Sequence, residues 1–258
     1  EMCIRDRFLP GGKEQIAGEY QPGWMLLSYG KKVSVSSSLE GYPAENIVDE
    51  DARTAWVAQS NRDMEWAQVD LQRLSSIHAI QVNFDEYGAN QKGAVSGVYQ
   101  SYLIYASVNG EDWSLVVDYG TKKTDTPHDY IEFEEPFKAR YIKLQNKEYM
   151  VSENFSVRDL RIFGKGQGST PRAVNDFTVE RDEADPCKAR LCWEAVPDAQ
   201  GYIVRYGIAG DKLYNNFQVM GENTLEIGSL NKGVAYYFTI DAYNENGITR
   251  TSRIKVCR

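Results

Sequence analysis

Catalysis by this chain would need nucleophilic or acidic side chains held at working distance. Its 258 residues contain 37 Asp and Glu but only two histidines, His78 and His128. With so many carboxylates a close pair is inevitable, whereas glycosidic hydrolysis needs two held about 5–9.5 Å apart with one kept protonated. The densest run is Glu132, Glu134 and Glu135. Alternation from Ile131 and Phe133 puts Glu132 and Glu134 on the solvated face of a strand. The sequence has no Gly-x-Ser-x-Gly elbow, no phosphate-cradling glycine loop and no His-Glu-x-x-His pair. Its cysteines, Cys3, Cys187, Cys192 and Cys257, lack the spacing and the histidine support of a zinc site. What remains is binding. The longest irregular stretch, Asp85 to Tyr99, carries Asp85, Glu86, Tyr87, Asn90, Gln91 and Tyr99. Loops of this length inside compact domains are usually functional or mobile. Tyr42, Arg62 and Tyr149 fall in other expected loops and can join it.

Strands must carry these loops. Seventeen Tyr, nine Phe and five Trp lie among short Val/Ile/Thr-rich runs, and such residues suit a pleated, half-buried surface. Val33 with Val35, Ala67 with Val69 and Leu71, and Ile80 with Val82 and Phe84 alternate with polar residues. Ile131 with Phe133, Ile142 with Leu144, and Leu160 with Ile162 repeat the pattern, and no helical period competes. The fold class expected is all-β, in sandwiches. Pro10-Gly11-Gly12 and Pro22-Gly23 punctuate residues 1–29 as a connector, and Glu1 to Arg7 resembles translated adapter sequence, so those residues are set aside. A first domain is expected over 30–164, a Gly/Ser/Pro linker over 165–171, and a second domain over 172–258. The net charge of −8 argues against a nucleic-acid partner, and no apolar run approaches the roughly 18 residues of a membrane span.

Four blocks then carry a resemblance. Ala44-Glu45-Asn46-Ile47-Val48-Asp49-Glu50-Asp51-Ala52-Arg53-Thr54-Ala55-Trp56, Glu65 to Leu71, Ser107 to Trp113 and Ala139 to Leu144 occur in the order and spacing of the discoidin family. That family, the coagulation factor 5/8 type C domains, includes carbohydrate-binding module family 32. The resemblance implies a jelly-roll β-sandwich, with Trp56, Trp66 and Trp113 in the core or at its edge. Ala189 to Trp193, Leu230 to Tyr236 and Ala242 to Gly247 resemble a fibronectin type III domain with its tyrosine corner. Gly23 to Tyr29 followed by both modules resembles the C-terminal part of bacterial family 43 glycoside hydrolases, in which a catalytic propeller comes first.

By that resemblance this chain is not itself an enzyme. It is a carbohydrate-binding accessory region of a secreted, periplasmic or cell-surface bacterial glycoside hydrolase acting on plant-type polysaccharide, and its partners are an oligosaccharide and the missing N-terminal catalytic domain. Sugar would meet Tyr42, Arg62, Asp85, Glu86, Tyr87, Asn90, Tyr99 and Tyr149, because aromatic faces take the apolar side of a pyranose while planar polar groups take its hydroxyls. Two alternatives stand: a structural module that packs on the catalytic domain through the same tyrosines, or an adhesion module. The family also implies a structural calcium ion. Asn46 and Asp51 would give carbonyls, Asp49 a carboxylate, Thr54 a carbonyl and a hydroxyl, Arg158 a carbonyl, and Asp159 a carboxylate where relatives usually carry Glu. The competing reading is that Asp49 and Asp51 only cap a turn. In the fibronectin-like module Cys187 and Cys257 fall where two strand ends meet, so a disulfide and free thiols are both open.

Overall fold

A computed structural model describes residues 23–89 and 97–258, in two compact units, Trp24–Gln167 and Gly168–Arg258. The described residues are all-β apart from short 3-10 geometry, and no helix among them is long and apolar enough to cross a membrane.

The first unit contains β1 (Met25–Leu26), β2 (Lys32–Val35), β3 (Trp56–Val57), β4 (Trp66–Phe84), β5 (Gln100–Ser107), β6 (Ser114–Tyr119), β7 (His128–Tyr149) and β8 (Ser156–Lys165). They are bonded in the order β1-β8-β4-β7-β5-β6, with β2 added to β4 and β3 to β8. Two strands make this sheet fold back on itself. β4 has 19 residues and β7 has 22, and their register slips between Asp70 and Ser75 and again between Ile77 and Ala79. Bulges bend a strand and add twist. The first half of β4 pairs β2 and the end of β7, while its second half pairs β8 and the start of β7. Ala67, Val69 and Leu71 from one half meet Ile80, Val82 and Phe84 from the other in a single core with Ile104, Ile142, Leu144, Leu160 and Ile162. Apart from Ile104, these are residues that the period-two alternation selects, while Val35, Ile131 and Phe133 of the same reading are only partly buried against the core. Gly164 lies so close to β4 that a Cβ there would sit 2.0 Å from the Ser76 carbonyl oxygen. Glu132, Glu134 and Glu135 are exposed on β7.

The second unit places β9 (Phe177–Arg181), β10 (Ala189–Trp193) and β13 (Thr224–Ile227) in one sheet. β11 (Gly201–Gly207), β12 (Asn215–Met220), β14 (Tyr236–Asn244), β15 (Gly247–Thr249) and β16 (Lys255–Cys257) form the other. Leu191, Trp193, Val204, Tyr236, Phe238 and Ile240 share its core. The Tyr236 hydroxyl accepts a hydrogen bond from the Asn231 amide at 3.3 Å, the geometry of a tyrosine corner and compatible with a fibronectin type III module. Cys187, Cys192 and Cys257 are free thiols, so the bridge considered between Cys187 and Cys257 is not formed. Cys257 turns into the core, where burial pushes its thiol up against the opposing effect of Arg181, whereas Cys187 sits half-buried in the turn after Asp185.

Asp176 ties the last strand to the first. It takes Lys255 Nζ at 2.8 Å, the Phe177 amide at 2.9 Å and Arg253 at 3.1 Å, and these partners hold its carboxyl down at about 2. A depressed carboxylate contributes stability that is present above its ordinary value of 3.8 and is lost as pH falls through about 2. Between pH 4 and 2 the second unit is therefore expected to lose stability in the native chain and to lose less of it in Asp176→Asn. Thermal melts across that range at low salt measure the difference.

Candidate functional site

The loops at one end of the first unit converge on an open groove of about 580 Å³ lined by Asn61, Gly88, Ala89, and Tyr149 through Asn154. Its walls are held by two half-buried amides and one buried amide. Asn61 Nδ2 donates to the carbonyls of Ser152 at 2.8 Å and Tyr149 at 3.3 Å, and Asn154 Nδ2 donates to the Ala58 carbonyl at 2.8 Å. Asn146 Nδ2 binds the carbonyls of both Asn61 and Arg62, which fixes the start of the neighbouring loop. The groove is thus a rigid frame.

Of the residues expected to meet a ligand, Tyr42 and Tyr87 are brought together edge to face, with ring centroids 4.8 Å apart. Tyr87 immediately precedes Gly88 of the groove wall. Glu86 and Arg62 are exposed beside it, and so are Glu153 and Met150, which the sequence did not single out. Their only sequence signal is a place in the short loop that closes β7 to β8.

Tyr149 is a different case. It is 1% exposed, packs on Phe84 and Phe155, and donates its hydroxyl to the Asp85 carbonyl, so it is a core residue under the groove and presents no ring to a ligand. Burial pushes its phenol well above the ordinary tyrosine range. Asp85 pairs its carboxylate with Arg158 and is a positioning residue for the same loop. Tyr99 belongs to a cluster with Lys123 and Glu148, where its hydroxyl donates to Glu148 at 2.5 Å and Lys123 Nζ lies 4.3 Å over its ring. Asn90 lies outside the described residues.

The expected metal loop wraps the 3-10 turn Ala44–Val48. Asp49 Oδ1 accepts the Asp51 amide at 2.8 Å, its Oδ2 accepts the Thr54 hydroxyl at 2.7 Å, and the Asp51 carbonyl accepts the Thr54 amide and hydroxyl. Asn46 turns its amide to the Ala55 carbonyl at 2.8 Å, and the Asp51 carboxylate is engaged by Arg53. Across from the loop, β8 pairs Asp159 with Asn83 and Val157 with Phe84, so Arg158 is the extra residue of a bulge and has no partner on β4. Asp159 is 4% exposed. Its Oδ2 accepts from Asn83 Nδ2 at 2.7 Å, and its Oδ1 is buried without any partner. His128 donates to Asn83 Oδ1 from behind at 3.1 Å.

Glu50, which the sequence reading passed over, adjoins this loop with a positive φ of 61°. Burial raises its carboxyl, Arg161 at 2.8 Å opposes that, and the charges of Asp159 and Asp49 add to the rise. Among the described residues no group of three or more His, Cys, Asp or Glu side chains converges as a metal site. The expected set does not require one, since it has only two carboxylates and takes its other oxygens from carbonyls and a hydroxyl. An oxygen-only donor set with an unpartnered, buried carboxylate oxygen fits a hard cation.

Residues 32–159 match the model of the F5/8 type C domain. Rat lactadherin is 28% identical over 150 residues, which is 55% of this chain and 31% of that protein, and mouse lactadherin is 27% identical over 150 residues. The chain thus spans about a third of the length of these curated relatives. Among solved structures, chitosan-binding module 1 from a Paenibacillus sp. IK-5 chitosanase/glucanase superposes with a TM-score of 0.46 at 20% identity, over 54% of this chain and 99% of that one. The family 32 module of C. perfringens NanJ, solved with galactose, gives 0.44 at 17% identity, over 54% and 98%.

Proposed function

We propose that this chain, whose residues 32–159 form an F5/8 type C domain, is a non-catalytic carbohydrate-binding region. The observation that carries the reading is the open groove beside the Tyr42–Tyr87 pair, with Arg62, Glu86 and Glu153 exposed next to it and in no ion pair among the described residues. A rigid frame with an aromatic edge and a few uncommitted planar groups suits a neutral, hydroxyl-rich ligand, and the fixed amides of Asn61 and Asn154 keep that geometry at little entropic cost on binding. The role we assign is accessory to a secreted bacterial glycoside hydrolase acting on plant-type glycans, with a fibronectin type III module as its second unit. Tethering would then raise the local substrate concentration without altering an active site. Calcium held by Asp49, Thr54, Asp159 and the carbonyls of Asn46, Asp51 and Arg158 would set the loop that carries Tyr42.

An array of arabinose- and xylose-containing oligosaccharides probed with the whole chain tests this. Binding is expected, weakened about tenfold or more in Tyr87→Ala and Arg62→Ala at unchanged melting temperature. Turnover of aryl arabinosides or xylosides is expected to be absent. Silence across the array would leave a purely structural role and reject the proposal, and activity that tracks the protein peak would reject it too.

A further inference from the structure

Away from the groove, the open face of β2, β4, β7, β5 and β6 carries an aromatic surface that neither the core nor the loop cluster uses. Alternation turns Trp66, Gln68 and Asp70 of β4 outward, and Tyr141, Lys143 and Gln145 of β7 beside them. Lys143 lies opposite Gln68 on one side and Tyr105 on the other. Trp113, from the turn before β6, leans over the same strands. Lys143 Nζ sits 3.7 Å from the Trp113 ring centroid and 5.6 Å from that of Trp66. Trp66 and Trp113 are both half-buried.

The charge of Lys143 meets only the two indole rings and no anion among the described residues. No carboxylate lies within ion-pair distance of it among the described residues, and the acids of the adjoining β4 segment and of the loop before it have partners of their own. Asp70 is clamped by Arg140 through two bonds of 2.8 Å, Asp63 by Lys147 at 2.6 Å, and Glu65 by the hydroxyls of Ser36, Ser37 and Ser60. Burial against the two indoles lowers the Lys143 ammonium from its ordinary range. A partly desolvated cation gains most from an anion delivered in place of water. Indole faces, for their part, take the apolar C–H side of a sugar ring. Gln68 and Gln145 offer amides to hydroxyls, and among the described residues the Gln145 amide is engaged only by the weak acceptor Met64 Sδ at 3.2 Å.

We propose that this sheet face is a second glycan-contact surface, for a uronic acid residue stacked on Trp66 or Trp113 with its carboxylate on Lys143. It is separate from the groove and does not depend on it. The net charge of −8 supplies no long-range attraction for a polyanion, so recognition is local to this one ammonium.

The whole chain, titrated with trimers of galacturonate, mannuronate and glucuronate, tests the proposal through tryptophan fluorescence and calorimetry. At least one acid is expected to bind with a fluorescence change, and its fully methyl-esterified form to bind about tenfold more weakly or worse. Lys143→Gln should lose binding by a similar factor, Lys143→Arg should retain it, and Tyr87→Ala in the groove should leave it unchanged. Should Lys143→Gln fold poorly, the ester comparison and Lys143→Arg decide the matter. Failure of all three acids to bind, equal binding of acid and ester, native affinity in Lys143→Gln, or loss confined to Tyr87→Ala would each overturn it.

Discussion

Calcium added to chelator-stripped protein is expected to raise the melting temperature of the first unit, and Asp159→Asn to abolish that rise while leaving the stripped protein at least as stable as the native sequence. The two effects have one origin. Asp159 Oδ1 is buried without a partner, and a buried polar oxygen stripped of water costs free energy until something replaces that water. An ion that binds only the folded state supplies the replacement and adds about 2.7 kcal/mol at roughly 100 times its Kd. For a unit of this size that is roughly 5–10 °C. Asn keeps one oxygen to accept from Asn83 and removes the charge, so it relieves the cost in the stripped state and forfeits the gain in the loaded one. The stability order of the two proteins should therefore reverse between chelator and calcium, which a turn-capping role for Asp49 and Asp51 does not produce. Melts that ignore chelation, or Asp49→Ala with native stability in calcium, would reject the site.

The layers were readable because alternation is a local property, and the parity of Ala67, Val69 and Leu71 had only to persist along one strand. Reading the sequence places Tyr149 in a loop, available to a ligand, whereas β7 runs on through Tyr149 itself. Parity could not have corrected this, because it fails at bulges: Ile142 and Leu144 assign even numbers to the core, which in an unbroken strand would turn Tyr149 outward. The register of β7 against β5 slips between Tyr102–Asn146 and Ser101–Glu148, and the extra residue, Lys147, reverses the faces and sends Tyr149 inward. His78 lies at a similar slip between Ile77 and Ala79, which leaves it half-buried and stacked on Trp24 at 5.3 Å. Nothing in the residue types announces a bulge, since its cause is the path of two strands far apart in sequence. Alternation also places Trp66, which the parity that buries Ala67 turns outward to a half-buried position. The ion pair of Glu50 with Arg161, 111 positions apart, has no local signal at all.

Trp56→Ala is expected to cost the first unit about 3–5 kcal/mol, the range for deleting a buried aromatic side chain whose cavity cannot fully collapse. Trp56 is 0% exposed and meets Phe155 edge to face at 5.8 Å, and Phe155 in turn packs on Tyr149 and Phe84 beneath the groove. Its Nε1–H donates to the Ser37 carbonyl at 3.0 Å, tying the segment before Tyr42 to β3, while Trp56 and Val57 pair with Val157 and Ser156 of β8. A single truncation therefore empties the core and loosens both segments that bring Tyr42 toward Tyr87. Trp56→Phe separates these contributions. It keeps a ring against Phe155 but strands the Ser37 carbonyl, and it should cost less than Trp56→Ala by at least about 1 kcal/mol. Urea unfolding followed by far-ultraviolet circular dichroism measures both variants, with an unchanged m-value as the sign that stability alone has moved. Loss of about a third of the stability usual for a domain would make glycan binding fail at temperatures where the native sequence still binds. Native unfolding in Trp56→Ala would mean that Trp56 is not the keystone between core and loops, and the groove would then need another support.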